Sequence, residues 1–345
     1  MSLEDLKGSE LLELDGPPPE QVPPSLHEWL LSLPSSVAFH VPGKDRRRTR
    51  AVTALLHGNE PSGLAAIHGF LRSGHVPLTN LLMMLGAVEA AKLAPVFTHR
   101  LVPGRRDLNR CFLGPDDDVE GRLAAAMLRV LRRDSPEAVI DLHNNTGHNP
   151  AYGVGTRLDA ERLGLTSLFA PRFVFSKLRL GALTEALQDE LPIVTVECGR
   201  RLDPAADACA YAGLCRYVDV ETLPRVTPGS GQVDVLHRAV RVRVQPGLRL
   251  GFGDHRESGT DVTCALDIDR HNFQTLPAGS HVAWVSAHVE RPFVATDESG
   301  RDMSEQLFVH RDRAIQTARP FIPIMMTTDP TIALADCLFY AVERW

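Results

Sequence analysis

A chain of 345 residues is long enough for one large domain and is better accounted for by two, and its 43% hydrophobic and 23% charged content is ordinary for a soluble globular protein. The formal net charge of -6 removes any electrostatic reason to expect nucleic acid as a partner. The most apolar long window, residues 78–97, carries Glu89 and Lys92 and stays short of a membrane span, so no membrane association is expected.

Residues 1–35 are proline-rich, with Pro17-Pro18-Pro19, Pro23-Pro24 and one short amphipathic stretch from Ser25 to Leu33. They read as an extended lead-in or cover segment. The first residues are acidic and broken, unlike a basic-then-apolar secretory signal. The six cysteines (111, 198, 209, 215, 264 and 337) form no CxxC pair, which favours reduced thiols and a cytoplasmic setting. From about Val37, strand-like and helix-like runs alternate. The basic run from Lys44 to Arg50 reads as the solvated entrance to a strand, Ala51–Leu56. Helical spacing follows over Gly63–Leu71, then a strand at Leu81–Leu85 and an Ala- and Leu-rich helix over Gly121–Arg132. Strands are expected at Ala138–Leu142, Arg172–Phe175 and Ile193–Val196, and a helix over Ala205–Val220. Such alternation argues for an α/β layer structure whose ligands gather at the strand C-termini. After about residue 226 the texture changes. Val233–Val244 alternates with period two, and Val262–Ile268 and Val282–Val285 are short runs between Gly and Pro breaks. Residues 36–225 are therefore expected to form the principal domain, and residues 226–345 a smaller β-rich one.

The residues that carry chemistry begin where Ala51–Leu56 stops. His57-Gly58-Asn59-Glu60 places a His and a Glu three positions apart, a ready pair of metal ligands. Read alone, a HxxE is a weak signal. His143, in Asp141-Leu142-His143, offers a third ligand, and Asp141 or a nearby carbonyl is placed to orient its ring. Glu197, in Val196-Glu197-Cys198-Gly199, adds a carboxylate at the end of another strand-like run. Two imidazoles, a carboxylate and a spare carboxylate are the minimum set for metal-assisted hydrolysis. The segment from Arg105 to Arg110 holds arginines whose planar forks grip carboxylates, and Asn109 can add an amide donor. Beside a metal site, it suggests a pocket for an anionic substrate. His68, His75, His99 and His148 are read as surface or packing residues.

Taken together, His57-Gly58-Asn59-Glu60, Arg106-Asp107-Leu108-Asn109-Arg110, Asp141-Leu142-His143-Asn144 and Val196-Glu197-Cys198-Gly199 resemble the succinylglutamate desuccinylase/aspartoacylase family of the zinc carboxypeptidase superfamily. Order and approximate spacing match from about residue 50 to 220. The resemblance implies a three-layer α/β/α zinc-carboxypeptidase-like domain with a mixed sheet, plus the smaller β-rich domain. It implies one Zn2+ per chain on His57, Glu60 and His143, with Glu197 as general base and acid. Asn109 and Arg110, joined by Asn144, are implied as substrate-binding residues. Arg100 resembles the family's arginine that polarises the scissile carbonyl, with Arg105 and Arg106 as competitors for that role. Gly86-Ala87-Val88 departs from the Gly-Asn-Pro of many relatives. His143-Asn144-Asn145-Thr146-Gly147 resembles the aspartoacylase version, whereas the helix after Glu197 resembles the desuccinylase version, so both acyl groups stay open.

The expectation is a zinc-dependent amidohydrolase that cleaves the amide bond of a small-molecule N-acyl amino acid. A metallocarboxypeptidase acting on small peptides and a non-catalytic zinc-binding protein are the alternatives. The sequence leaves a homo-oligomer open.

Overall fold

The computed structural model describes residues 11–145 and 147–345. Residues 1–10, and with them the reading of the extreme N-terminus, lie outside the described residues, as does Thr146. The chain divides into two compact units. Of the described residues, the first holds 11–144, Ala151–Val174 and Arg179–Asp234; the second holds Asn145–Pro150, Phe175–Leu178 and Val235–Trp345, save position 146.

In chain order the first unit contains β1 (Leu12–Asp15), α1 (Leu26–Ser32), β2 (Val37–Val41), β3 (Asp45–Ala54), α2 (Ser62–Ser73), β4 (Thr79–Leu85), α3 (Val88–Lys92) and α4 (Val119–Asp134). It continues through β5 (Val139–Asn145), β6 (Tyr152–Gly155), α5 (Ala160–Ser167), β7 (Arg172–Phe175), α6 (Leu183–Leu187), β8 (Ile193–Arg200) and α7 (Pro204–Asp219). The strands lie in the order β1-β2-β4-β3-β5-β8-β6-β7. β3 runs parallel to both β4 and β5, whereas β2 is antiparallel to β4 and β6 to β8, so the sheet is mixed. Alternate residues along each strand face opposite sides. Ala51, Val139 and Ile193 share a buried cluster with Leu123, Met127 and Leu131 of α4. On the other face a Cβ at Gly63 of α2 would sit 2.7 and 2.8 Å from the Cβ atoms of Ala54 and Leu142, so only glycine lets α2 lie this close to the sheet. Helices thus cover both faces, as expected for three layers.

Within the second unit, β9 (Asp234–Val244) pairs antiparallel with β13 (Phe293–Thr296) and β17 (Phe339–Arg344), and β17 pairs with β16 (Ile322–Ile324). A separate five-stranded sheet has the order β10-β11-β12-β15-β14, formed by Leu250–Phe252, Val262–Cys264, His281–Val285, Ala314–Thr317 and Phe308–Arg311 respectively. The core of this unit gathers Val262, Val282, Val285, Ile315, Phe321 and Phe339. Among the described residues no helix is long and apolar enough to cross a membrane.

Two segments differ from their sequence reading. The described part of the proline-rich segment is built into the first unit: β1 adds a parallel strand beside β2, and Leu12, Trp29 and Leu30 are buried. The basic run departs from its reading in part: Lys44, Arg46 and Arg47 are exposed as expected, but β3 already begins at Asp45 and Arg50 is fully buried. Arg50 Nε donates to Glu137 Oε2 at 3.1 Å and its Nη1 to the Tyr217 carbonyl at 2.6 Å, while Arg48 also engages Glu137. A guanidinium tolerates such burial only with its donors satisfied. Replacing Glu137 with Ala leaves Arg50 short of its carboxylate. Urea unfolding should show a loss of about 1–3 kcal/mol, held below the fully buried case because Glu137 itself is partly exposed.

Candidate metal centre

The parallel register of β3 and β5 pairs Ala54 with Leu142, so both strands end at one edge of the sheet. Beyond Ala54 the chain turns sharply at Leu55, whose φ of 58° is left-handed, an uncommon conformation for a bulky residue that costs about 1–2 kcal/mol. Backbone bonds from Gly86 to Ala54 and from Ala87 to Leu55 hold the turn. His57 follows directly. Gly58 donates its N–H to the Arg100 carbonyl at 2.9 Å, and a Cβ there would lie 2.5 Å from the Ala91 nitrogen. Glycine is thus required for the loop to press against α3 and to bring Arg100 beside His57. A bond from Glu60 N to the His57 carbonyl closes the turn. On β5, Asp141 and His143 are two residues apart and so share one face. His143 and Glu197 lie inside β5 and β8 rather than beyond the strand ends, and those strands are neighbours.

These elements bring His57, Glu60 and His143 together, all buried, with one ligand atom from each lying within 4.8 Å of the others. Glu60 stands between the two rings: its Oε1 is 2.8 Å from His57 Nδ1 and its Oε2 is 2.8 Å from His143 Nδ1. The far nitrogens face acids too. His143 Nε2 lies 2.8 Å from Asp141 Oδ2, and His57 Nε2 lies 3.1 Å from Asp107 Oδ1. A neutral imidazole donates from only one nitrogen. If His143 donates from Nε2 to Asp141, its Nδ1 lone pair points at a carboxylate, which is repulsive unless a proton or cation intervenes. His57 Nδ1 is close to Glu60 Oε1 yet makes no hydrogen bond. Two imidazole nitrogens and one carboxylate converging in this way fit a divalent metal ion.

The electrostatics agree. Burial alone pushes the Glu60 carboxyl up, but the charges of His57 and His143 and the hydrogen bond with His143 outweigh it and hold the group well below its ordinary value. Burial opposes charge on His143, yet the Asp141 and Glu60 carboxylates raise it well above the usual imidazole range. Asp107 is lowered because His57, Arg100 and Arg110 overcome the effect of its burial. Asp141 is itself gripped by the hydroxyls of Thr53 at 2.6 Å and Thr195 at 3.2 Å, which fixes the acid behind His143.

Glu197 is buried, and its Oε2 has no hydrogen-bond partner among the described residues. Burial pushes its carboxyl up to about 8; the Glu60 and Asp141 charges act in the same direction, against the pull of His143 and Arg100. This side chain can hold a proton near neutral pH, as a general acid and base must.

Arg100 is the arginine nearest this group. Its Nε donates to Asp107 Oδ2 at 3.0 Å, and Nη1 and Nη2 lie 3.5 Å from Glu60 Oε1 and 2.7 Å from His57 Nε2. Arg105 and Arg106 are bound elsewhere, to Glu89 and Asp118. Asn109 is buried in a 3-10 turn capped by Asp107; its Oδ1 accepts from Leu183 N at 3.1 Å, which leaves Nδ2 as the group it can offer. Arg110 donates to the Asn109 carbonyl at 2.9 Å. Asn144 is different, since its amide is fully engaged with Ser62 and Gly199. A cavity of about 300 Å³ borders Arg100, Leu56 and Leu108, but its lining includes none of His57, Glu60, His143 or Glu197. His68 stacks on Trp29 and bonds the Pro23 carbonyl, while His75 pairs with Asp219 and His148 with Asp269. Sequence reasoning gave no role to Asp107, Thr53 or Thr195. For Asp107 the available signal was an acid set among arginines just ahead of Asn109.

Residues 47–169 match the family model described as the succinylglutamate desuccinylase/aspartoacylase catalytic domain. Among solved structures, a succinylglutamate desuccinylase/aspartoacylase from Rhodobacter sphaeroides is 16% identical with a TM-score of 0.60, covering 89% of this chain and 87% of its own. A product-bound ectoine utilization protein from Ruegeria pomeroyi is 16% identical with a TM-score of 0.55, covering 88% of this chain and 87% of its own. Murine aminoacylase 3 is 16% identical with a TM-score of 0.51, covering 88% of this chain and 97% of its own. At these identities the likeness is one of fold. No curated protein matches the sequence.

The raised Glu197 carboxyl sets a pH dependence for the metal-free protein. Above the ordinary value of 4.5 the unfolded chain releases this proton, while the native state keeps it up to about 8. Stability from this group is therefore full below 4.5 and is lost as pH rises through about 8. In chelator-treated protein, Glu197→Gln should gain on the wild type between pH 5 and pH 9 in urea unfolding. A difference that stays constant across that range would rule out the buried, proton-holding carboxyl.

Proposed function

Because the chain belongs to the succinylglutamate desuccinylase/aspartoacylase family, whose catalytic domain spans its residues 47–169, we propose that it is a zinc-dependent amidohydrolase cleaving the amide bond of an N-acyl amino acid. The observation that carries this reading is the buried His57–Glu60–His143 group with the proton-holding Glu197 on the neighbouring strand. The family includes N-acyl amino acid deacylases, and one structural neighbour is named an aminoacylase.

His57 Nδ1, a Glu60 oxygen and His143 Nδ1 would hold the ion. When bound there, zinc supplies a Lewis acid and lowers the pKa of a water toward about 7. Asp141 engages the far ring nitrogen of His143, and Asp107 and Arg100 both meet that of His57, while each Nδ1 is turned to the centre. Glu197 takes the proton of the attacking water at its unpartnered Oε2 and delivers it to the departing amine nitrogen. Arg100, held by Asp107 beside the group, polarises the scissile carbonyl oxygen. Asn109 through Nδ2 and Arg110 through its guanidinium bind the carboxylate of the amino-acid moiety, which sets the amide over the centre. For Asn144 we propose a role other than the substrate binding that the resemblance implies. With its amide engaged, it contributes its backbone N–H to Glu60 Oε2 at 3.2 Å.

A panel of N-acyl amino acids beside a panel of small peptides tests the substrate class: turnover is expected on the first and not on the second. Glu197→Gln should lower kcat by about 100- to 10,000-fold while the protein still binds zinc. A variant that hydrolyses at the wild-type rate removes Glu197 from the reaction. Arg110→Ala should raise KM for carboxylate-bearing substrates by about 10- to 100-fold, measured by steady-state kinetics against the corresponding amides.

A further inference from the structure

Asn144 follows a proposed metal ligand, yet its side chain turns to the other face of β5 and meets a polar chain that the chemistry above leaves unused. Asn144 Oδ1 accepts from Ser62 N at 3.0 Å, and Nδ2 donates to Ser62 Oγ at 2.9 Å and to the Gly199 carbonyl at 3.1 Å. Ser62 Oγ donates onward to Asp207 Oδ1 of α7 at 2.6 Å. Ser62 is fully buried and Asn144 nearly so.

Each link fixes the next. The Asp207 carboxylate takes the Ser62 hydroxyl proton and leaves the oxygen lone pairs for Asn144. Ser62 Oγ and the Gly199 carbonyl both need a donor, so the Asn144 amide has one orientation; reversed, its oxygen would face a carbonyl oxygen. Pro61, at the start of α2, offers no side-chain acceptor, and Asn144 Oδ1 takes its place as the cap of that helix. Asn144 thereby ties β5 to the N-terminus of α2, two residues past Glu60, and to β8, two residues past Glu197. Its own N–H then meets Glu60 Oε2.

We propose that Asp207, Ser62 and Asn144 form a positioning relay that sets the Glu60 carboxylate for metal binding. The proposal rests on the metal-site reading, but it concerns the geometry of Glu60 and not the identity of the substrate. Asp207 and Ser62 touch neither the ion nor the substrate; they act through Asn144.

The test compares zinc affinity of the full-length protein, by competition with a chromogenic chelator, for wild type, Ser62→Ala, Asp207→Ala and Asp207→Asn. Asp207→Asn keeps an oxygen that accepts from Ser62 Oγ, and both Asp207 variants lose the same charge near the α7 N-terminus, so their difference isolates the hydrogen bond. Ser62→Ala and Asp207→Ala should weaken zinc binding by about 10- to 100-fold, the usual effect of removing a group that orients a ligand, and Asp207→Asn should recover most of it. A merely structural role would shift the melting temperature of the metal-free variants and leave the zinc affinity of the folded protein unchanged. Should Ser62→Ala fail to fold, the Asp207 pair decides alone. Equal affinities in wild type, Ser62→Ala and Asp207→Ala overturn the relay. A wild type that binds zinc but hydrolyses no N-acyl amino acid sinks the proposed function and leaves the relay standing. A wild type that binds no divalent ion overturns both.

Discussion

Glu60 is a buried carboxylate with a ring nitrogen 2.8 Å from each of its oxygens, and the rest of the centre is arranged around that contact. A charge taken this far out of water is stable only if opposite charge meets it closely. Part of that role falls to His143, which the Asp141 and Glu60 carboxylates drive toward its charged form. The same atoms are positioned to share a cation, and then the rings must be neutral. Protons and metal are thus alternative ways of satisfying one electrostatic demand. Asp141 sharpens the competition by engaging the opposite side of the His143 ring.

The contact depends on backbone placement more than on side-chain choice. Parallel β3 and β5 end at one level, and the left-handed Leu55 turns the chain so that His57 and Glu60 fold back over that edge. Gly58 lets the loop lie against α3, and its N–H bond draws in the Arg100 carbonyl. Glu197 arrives from β8, the strand beside β5. The sheet therefore acts as the ruler for residues drawn from two strands, β5 and β8, and from the loop after β3. The strain at Leu55 is local and sits next to the first histidine, where such strain commonly accompanies function.

Outside the centre, the same principle accounts for the features that the sequence reading missed. Arg50 reads as one more residue of a basic run, yet it is the most deeply buried of its group because Glu137 and the Tyr217 carbonyl receive its donors. Its partners lie 87 and 167 positions away, and no local pattern announces them. β1 reads as lead-in because its four residues run straight into Gly16 and the prolines; only pairing with β2 makes it a strand. The short β6 escaped for the same reason, since it is defined by the Tyr152–Glu197 register against β8.

What the linear chain determined by itself was periodicity and chemistry. Alternating apolar runs and amphipathic stretches located the main strands and helices of the first unit, because burial on a sheet or helix face imposes its spacing directly on the residues. The His57, Glu60 and His143 group that the fold brings together was legible only as a set, because a HxxE alone is a weak signal and the four motifs in order carried it. The tertiary structure alone decided which groups stand behind them: that Asn144 faces Ser62 and Gly199, that Thr53 and Thr195 clamp Asp141, and that Arg100 and not Arg105 or Arg106 lies beside His57. Those choices depend on distances between strands and on which side of a strand a residue faces. They are set by the packing of the whole domain, and neighbouring positions in the sequence carry no trace of them.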